Sequence, residues 1–260
     1  MHRPPHLPFL DGPAAFRVGL APIAQEAWLA PDWEAHALAA KRALLDRRLG
    51  EVHGALPGSA LAAGEAARLV GPETLIEAAR LVSDDLVVLE RQAGEWVVTT
   101  LVLCAPTFFS AAEVLGRSLH GLHAPVPAAA PEFAGRIARV FDGLRPELIL
   151  ERWNWTVQPG AERFTPAAEP VFAPAATLAP HALAPLLHLR LERQTIRRLP
   201  QTGGVLFTIR VSLLSLGSLL AEPAVRAAFA AAWAGTPPPV RDYKRWGLLE
   251  EAVAVLLAGL

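Results

Sequence analysis

The sequence predicts an α+β fold: one antiparallel five-stranded sheet with helices before it, inserted within it and after it. Three observations predict it. Apolar and polar residues alternate with period two in five segments, the mark of half-buried strands. Turn signals rich in Gly and Pro join two pairs of these segments into hairpins. Apolar spacings of three and four residues, the helical period, fill the stretch between the second and third strands and both ends of the chain.

In chain order, residues 1–12 are Pro-rich and read as an extended arm, and 16–20 as a short strand. Residues 34–49 read as a helix with Asp32 as its N-cap, and 54–59 as a loop. Ser59 is placed to cap a second helix ending at residue 69, and 72–81 reads as a third with Pro72 in its first turn. Residues 84–90 and 95–103 form a hairpin that Pro106 ends. Ala111, Val114, Leu115 and Leu119 have helical spacing, whereas Pro125 and Pro127 bar regular helix from 120–130. Phe133, Ile137, Val140, Phe141 and Leu144 line one face of an amphipathic helix. The third strand, 149–157, has Ile149, Glu151, Trp153, Trp155 and Val157 on one face and Arg152, Asn154 and Thr156 on the other. A Pro- and Ala-rich connection, 158–185, follows; its length hints at function or a flap. Strands 187–193 and 205–214 flank Pro200 and a Thr202-Gly203-Gly204 turn. Residues 223–233 read as a helix, 236–239 as a rigid linker and 248–258 as a last helix with Gly259 as its stop. The chain, 1–260, reads as one domain: an N-terminal helical arm (1–82), the sheet core (83–215) and C-terminal helices (216–260).

Hydrophobic residues make up 52% and charged residues 19%, which favours a compact fold over disorder. With 24 Lys and Arg against 25 Asp and Glu, nothing points to a nucleic-acid or membrane-surface binder. Cys104 is the only cysteine, so an internal disulfide, a cluster held by several cysteines and a four-cysteine zinc site are all excluded within the chain. The N-terminus has prolines where a signal peptide needs an apolar helix, and no run of eighteen apolar residues occurs. The expectation is a cytoplasmic protein.

Two features carry chemistry. His123 lies in His-Ala-Pro-Val-Pro, where two prolines fix the backbone just beyond it. An imidazole held in this way suits a metal or haem ligand, and the plain alternative is a loop histidine. The second feature is the charge on the last three strands: Arg152, Asn154 and Thr156; His188, Arg190 and Glu192; Thr208, Arg210 and Ser212. If the strands are neighbours, one sheet face is a polar platform whose guanidinium groups grip carboxylates in fork geometry. The alternative is a solvated face with internal salt bridges. Trp153 and Trp155 read as core, and no GxSxG, HExxH or Walker pattern is present.

Several stretches together resemble one family. They are Glu-Arg-Gln-Thr-Ile-Arg-Arg-Leu-Pro-Gln-Thr-Gly-Gly-Val-Leu-Phe-Thr-Ile-Arg (192–210), Arg-Trp-Asn-Trp (152–155), Leu-His-Ala-Pro-Val-Pro (122–127), the segment from Phe16 to Trp28 and the Tyr243–Lys244 pair. In this order they resemble the haem-dependent oxidative N-demethylase family. The resemblance implies a PAS-like core holding haem b, with a ligand seated between sheet and inserted helices, the element order read above. It implies oxidative demethylation of a small N-methylated amine such as dimethylamine, giving methylamine and formaldehyde with O2. It also implies electrons from NADPH through flavin and iron–sulfur reductase components on other chains, and the single cysteine agrees with that division. Carried onto this chain, His123 is the axial-ligand candidate. Arg152, Asn154, Arg190, Arg193 and Arg210 are the cofactor-binding candidates, with the guanidiniums for the propionates. Glu192 is the catalytic candidate, to hold the substrate ammonium or take its proton. The chain departs from the family pattern at 105–116, where a Trp and a Glu-Lys pair are usual and Glu113 is followed by Val114. That departure is either neutral or bears on the substrate or a partner surface. Two other readings stand beside the enzyme: a haem sensor that turns nothing over, and a haem-free small-ligand module. A haem spectrum and amine-dependent formaldehyde release separate the three.

Overall fold

A computed structural model describes residues 6–15, 18–29, 31, 34, 36–124, 126 and 131–259. Among them, seven strands form one sheet: β1 (Ala21–Ile23), β2 (His53–Ala55), β3 (Asp85–Gln92), β4 (Glu95–Val102), β5 (Ile149–Pro159), β6 (Leu187–Arg198) and β7 (Val205–Ser215). Their order is β1-β5-β6-β7-β3-β4-β2, and every neighbouring pair is antiparallel. The five predicted strands are adjacent in its centre, and the expected five-strand count is corrected to seven. β1 and β2 span three residues each, too few to show alternation, so only pairing with β5 and β4 reveals them.

Helices α1 (Ala37–Val52), α2 (Ala60–Val70) and α3 (Leu75–Ala79) precede the β3–β4 hairpin. Between β4 and β5 lie α4 (Ala111–Val114), α5 (Leu119–His123) and α6 (Pro131–Gly143). Between β5 and β6 lie α7 (Glu169–Ala175) and α8 (Pro180–Leu183), both with proline in the first turn, so the long connection is partly helical. After β7 come α9 (Leu216–Leu220), α10 (Pro223–Gly235), α11 (Pro238–Tyr243) and α12 (Glu250–Ala258). The linker expected at 236–239 therefore ends inside α11.

Other local expectations shift. Val18 to Leu20 are not strand, and residues 16 and 17 lie outside the described set, as does Asp32. Ser59 does not cap α2; its hydroxyl donates to the Leu56 carbonyl at 2.8 Å. Thr74, not Pro72, starts α3, in a capping box with Glu77. The arm is partly folded: Pro8–Asp11 is a 3-10 turn, and Phe9 packs edge-on against Trp155 and Phe229.

Each sheet face has its own cover. On one face, Trp155, Val157, Leu187, Leu189 and Leu191 meet Phe229, Trp246 and Val253 from the C-terminal segment. Further along that face, Leu86, Val88 and Leu206 meet Leu45, Ala66 and Ala78 of α1–α3. On the other face, Val87, Leu89, Ile196, Ile209 and Val211 meet Leu119 of α5 and Ile137 and Phe141 of α6. The β6–β7 turn is clamped by Glu65 of α2, which accepts from the backbone N–H groups of Gln201 (2.6 Å) and Thr202 (2.8 Å) and from the Thr202 hydroxyl (2.6 Å). Gly203 has φ +72, a conformation that glycine adopts without strain.

Candidate functional site

The β5–β6 register opposes Arg152 to Gln194, Asn154 to Glu192, Thr156 to Arg190 and Gln158 to His188. These residues share the face covered by α5 and α6. The expected platform is thus real across β5 and β6, but β7 does not extend it. Its residues Ile209, Val211 and Leu213 lie opposite Gln194, Glu192 and Arg190. Thr208, Arg210 and Ser212 point to the other face with Thr195, Arg193 and Leu191. There Arg193 pairs with Glu151 and donates to the Ala27 carbonyl at 2.7 Å. Arg210 donates from Nε to Asp84 at 2.9 Å. The structure therefore separates Arg193 and Arg210 from Arg152, Asn154, Arg190 and Glu192 by the thickness of the sheet.

Arg190 has 0% exposure and is saturated. It donates to Thr107 Oγ1 (2.8 Å), Gln158 Oε1 (3.0 Å) and the carbonyls of Ala105 (2.6 Å) and Pro106 (3.0 Å). Asp85 accepts from the N–H groups of Cys104 (2.8 Å) and Ala105 (2.7 Å). The segment leaving β4 is thus gripped through its donors by a carboxylate and through its acceptors by a guanidinium. Burial brings the Arg190 pKa down to about 10, which leaves it charged at neutral pH.

This clamp delivers Thr107 to Glu192. The Thr107 hydroxyl donates to Glu192 Oε1, while Asn154 (3.2 Å) and Gln194 (2.9 Å) donate to Oε2. Burial alone would push the Glu192 carboxyl up. Arg190, the Thr107 hydroxyl, Lys244 and Asn154 outweigh it, and the pKa falls below the ordinary value. Glu192 is a carboxylate with most of its acceptor sites used.

From Arg152 onward, β5 pairs only with β6 among the described residues. The end of α11 runs along that edge. Lys244 Nζ donates to Asn154 Oδ1 (3.3 Å) and the Trp155 carbonyl (2.8 Å), and Trp246 Nε1 donates to Thr156 Oγ1 (3.0 Å). Trp246 stacks on Trp233 (4.1 Å between ring centres) and lies tilted against Trp155 (5.0 Å), which fixes the segment. A cleft of about 280 Å³ opens between β5 and the N-terminal arm, lined by Arg152, Trp153, Asn154 and Trp155 with His6 and Asp11.

His123 ends α5, whose first turn Ser118 caps. Its Nδ1 lies 2.7 Å from the Leu119 carbonyl, so Nδ1 carries the proton and Nε2 the lone pair. Burial, opposed by that bond and reinforced by Arg152, lowers its pKa and keeps the ring neutral. His120 is exposed, and Pro125 and Pro127 lie outside the described residues. Among the described residues no three His, Cys, Asp or Glu side chains converge.

Residues 70–254 match the family model of haem-dependent oxidative N-demethylase, alpha subunit-like, proteins. The chain belongs to this family. The match to the N-demethylase family spans well over half of the chain and encloses His123, Arg152, Glu192 and Lys244. It begins within the N-terminal helices and ends within α12, while the stretch from Phe16 to Trp28 lies outside it. Thr107, which sits in the segment that departs from the family pattern, was missed as a site residue. No local pattern marks a threonine whose partner is 85 positions away. For Lys244 the sequence offers one signal, its place in the Tyr243–Lys244 pair.

Proposed function

We propose that this chain is the haem-binding oxygenase subunit of an oxidative N-demethylase that converts a small N-methylated amine such as dimethylamine to methylamine and formaldehyde. One observation carries the proposal. In a chain of this family, Arg152 interacts both with a neutral imidazole, His123, and with an ionised Glu192, beside the sheet face that the inserted helices cover. The strand order β4-β3-β7-β6-β5, with α4–α6 between the two hairpins, supports a PAS-like core.

The donor set fits a haem. His123 offers the nitrogen lone pair that an axial ligand needs, oriented by its bond to Leu119. Arg152 interacts with both His123 and Glu192, so a guanidinium lies near the imidazole to meet a propionate. Arg152 and Asn154 line the cleft and are the groups placed to meet them. Arg190 is occupied by its own clamp, and Arg193 and Arg210 face away. Haem b, when bound, supplies O2 activation, with electrons from NADPH through flavin and iron–sulfur components on other cytoplasmic chains. The protein's own residues do the rest. Glu192 attracts an alkylammonium, and Trp153 and Trp155 line the cleft beside Asn154.

The test is the absorbance of protein made with ample haem supply, followed by formaldehyde release from dimethylamine with NADPH and a flavin/iron–sulfur reductase. A Soret band and amine-dependent formaldehyde are expected, and His123→Ala is expected to lose or shift the band while His120→Ala leaves it unchanged. A band without turnover makes the chain a sensor. No band and no uptake of haemin overturns the proposal.

A further inference from the structure

An aliphatic amine reaches the protein as an ammonium ion, since its basicity is that of a lysine side chain. Oxidation beside nitrogen is easier from the neutral amine, so a proton must leave first. Glu192 is a poor acceptor for it: a carboxylate is about a million-fold weaker a base than an alkylamine, and Thr107, Asn154 and Gln194 already donate to this one. Lys244, a primary amine that donates to Asn154 Oδ1 at 3.3 Å, is a base better matched to an alkylammonium.

Resting on the function proposed above, we propose that Lys244 accepts the substrate's proton, with Asn154 and Glu192 as its positioning residues. Lys244 is 8% exposed, at the end of α11 against the β5 edge. Its Nζ has two neutral acceptors, Asn154 Oδ1 and the Trp155 carbonyl, and no carboxylate in ion-pairing contact among the described residues. A lysine ammonium kept for structure is ordinarily paired when buried. Asn154 and Trp155 both line the cleft, so Nζ lies one hydrogen bond behind its wall. The Asn154 amide is oriented by both neighbours, carbonyl to Lys244 and NH2 to Glu192, so the carboxylate steadies positive charge at Nζ without contacting it.

The charged and titrating groups facing Nζ are Glu192 from β6, Arg152 from β5 and Tyr243 beside it, with Arg190 behind Glu192. Burial, helped by Arg152 and opposed by Glu192, brings the Lys244 pKa down to about 8, so the neutral amine is accessible near physiological pH. In the step itself an N–H bond of the alkylammonium breaks and a new one forms on the Nζ lone pair. The substrate nitrogen keeps its electron pair, and the total charge is unchanged.

Calorimetry of dimethylamine binding to the haem-loaded protein, in two buffers of different ionisation heat, counts the protons released. Below the Lys244 pKa the lysine already holds its proton, so the substrate's proton goes to solvent. Above it, the lysine takes that proton and none is released. The wild type is therefore expected to release about one proton per amine near pH 6.5 and close to none near pH 9.5, with a midpoint near 8. Lys244→Arg keeps a positive charge and donors but cannot exchange a proton. It should give a pH-independent count, an unchanged Soret band, a similar KM and at least a roughly 100-fold lower kcat. If that variant does not fold, Lys244→Met should give the same flat count. A flat count in the wild type, or a midpoint that persists in either variant, overturns the role of Lys244. Formaldehyde release with a flat wild-type count sinks this inference alone, whereas a haem-free protein that binds no amine sinks the function and this inference together.

Discussion

At Glu192, structure and reactivity are joined in one side chain. The carboxylate collects hydrogen bonds from Thr107, Asn154 and Gln194, and it faces the buried charge of Arg190. Glu192→Gln keeps the shape, yet it removes the charge and turns an NH2 group toward side chains that also donate. Stranding a buried guanidinium in this way costs roughly 3 kcal/mol or more. In a chain of this size that corresponds to a fall of about 6–12 °C in Tm. Scanning calorimetry on the purified variant checks it, and a variant that melts with the wild type would show that the carboxylate does not balance Arg190. The sequence marked Glu192 correctly as a polar residue on a shared face with Arg152, Asn154 and Arg190. It could not show that Arg190 is already saturated, because Ala105, Pro106 and Thr107 lie more than 80 positions earlier in the chain.

The β6–β7 hairpin shows how one element decides which residues meet. Its loop pairs Arg198 with Val205, so the even-numbered residues of β6 stand opposite the odd-numbered residues of β7. A turn one residue longer or shorter would bring Arg210 to the Glu192 face. The turn is held by Glu65, buried in α2, through two backbone amides and one hydroxyl. Glu65→Ala leaves those amides without their acceptor at a cost of roughly 2–4 kcal/mol. The expected outcome is a lower urea midpoint with faster hydrogen exchange at the Gln201 and Thr202 amides, while the α10–α12 amides keep their protection. Unchanged exchange at those two amides would mean that Gly203 and Gly204 hold the turn unaided.

On the scale of the whole molecule, the sheet core is not self-sufficient. Trp155, Val157, Leu187, Leu189 and Leu191 share a core with the arm and the segment after β7, both of which lie outside residues 83–215. Exposing five such side chains at about 2 kcal/mol each forfeits on the order of 10 kcal/mol, comparable to the whole stability of a domain. A fragment of residues 83–215 is therefore expected to show no cooperative thermal transition, and a sharp melt of that fragment would contradict this account. The sequence by itself determined the α+β class, the five central strands, the two faces of β5 and the amphipathic α6. Each of these rests on a period of two or about 3.6 residues that is written locally. It also carried the family, through the long motif at 192–210. Only the tertiary structure decided that β1 and β2 extend the sheet, that Arg193 and Arg210 turn away from Glu192, and that Thr107 and Lys244 turn toward it. Strand parity is set by how many residues a turn consumes, and a hydrogen bond between distant residues leaves no periodic trace in either segment.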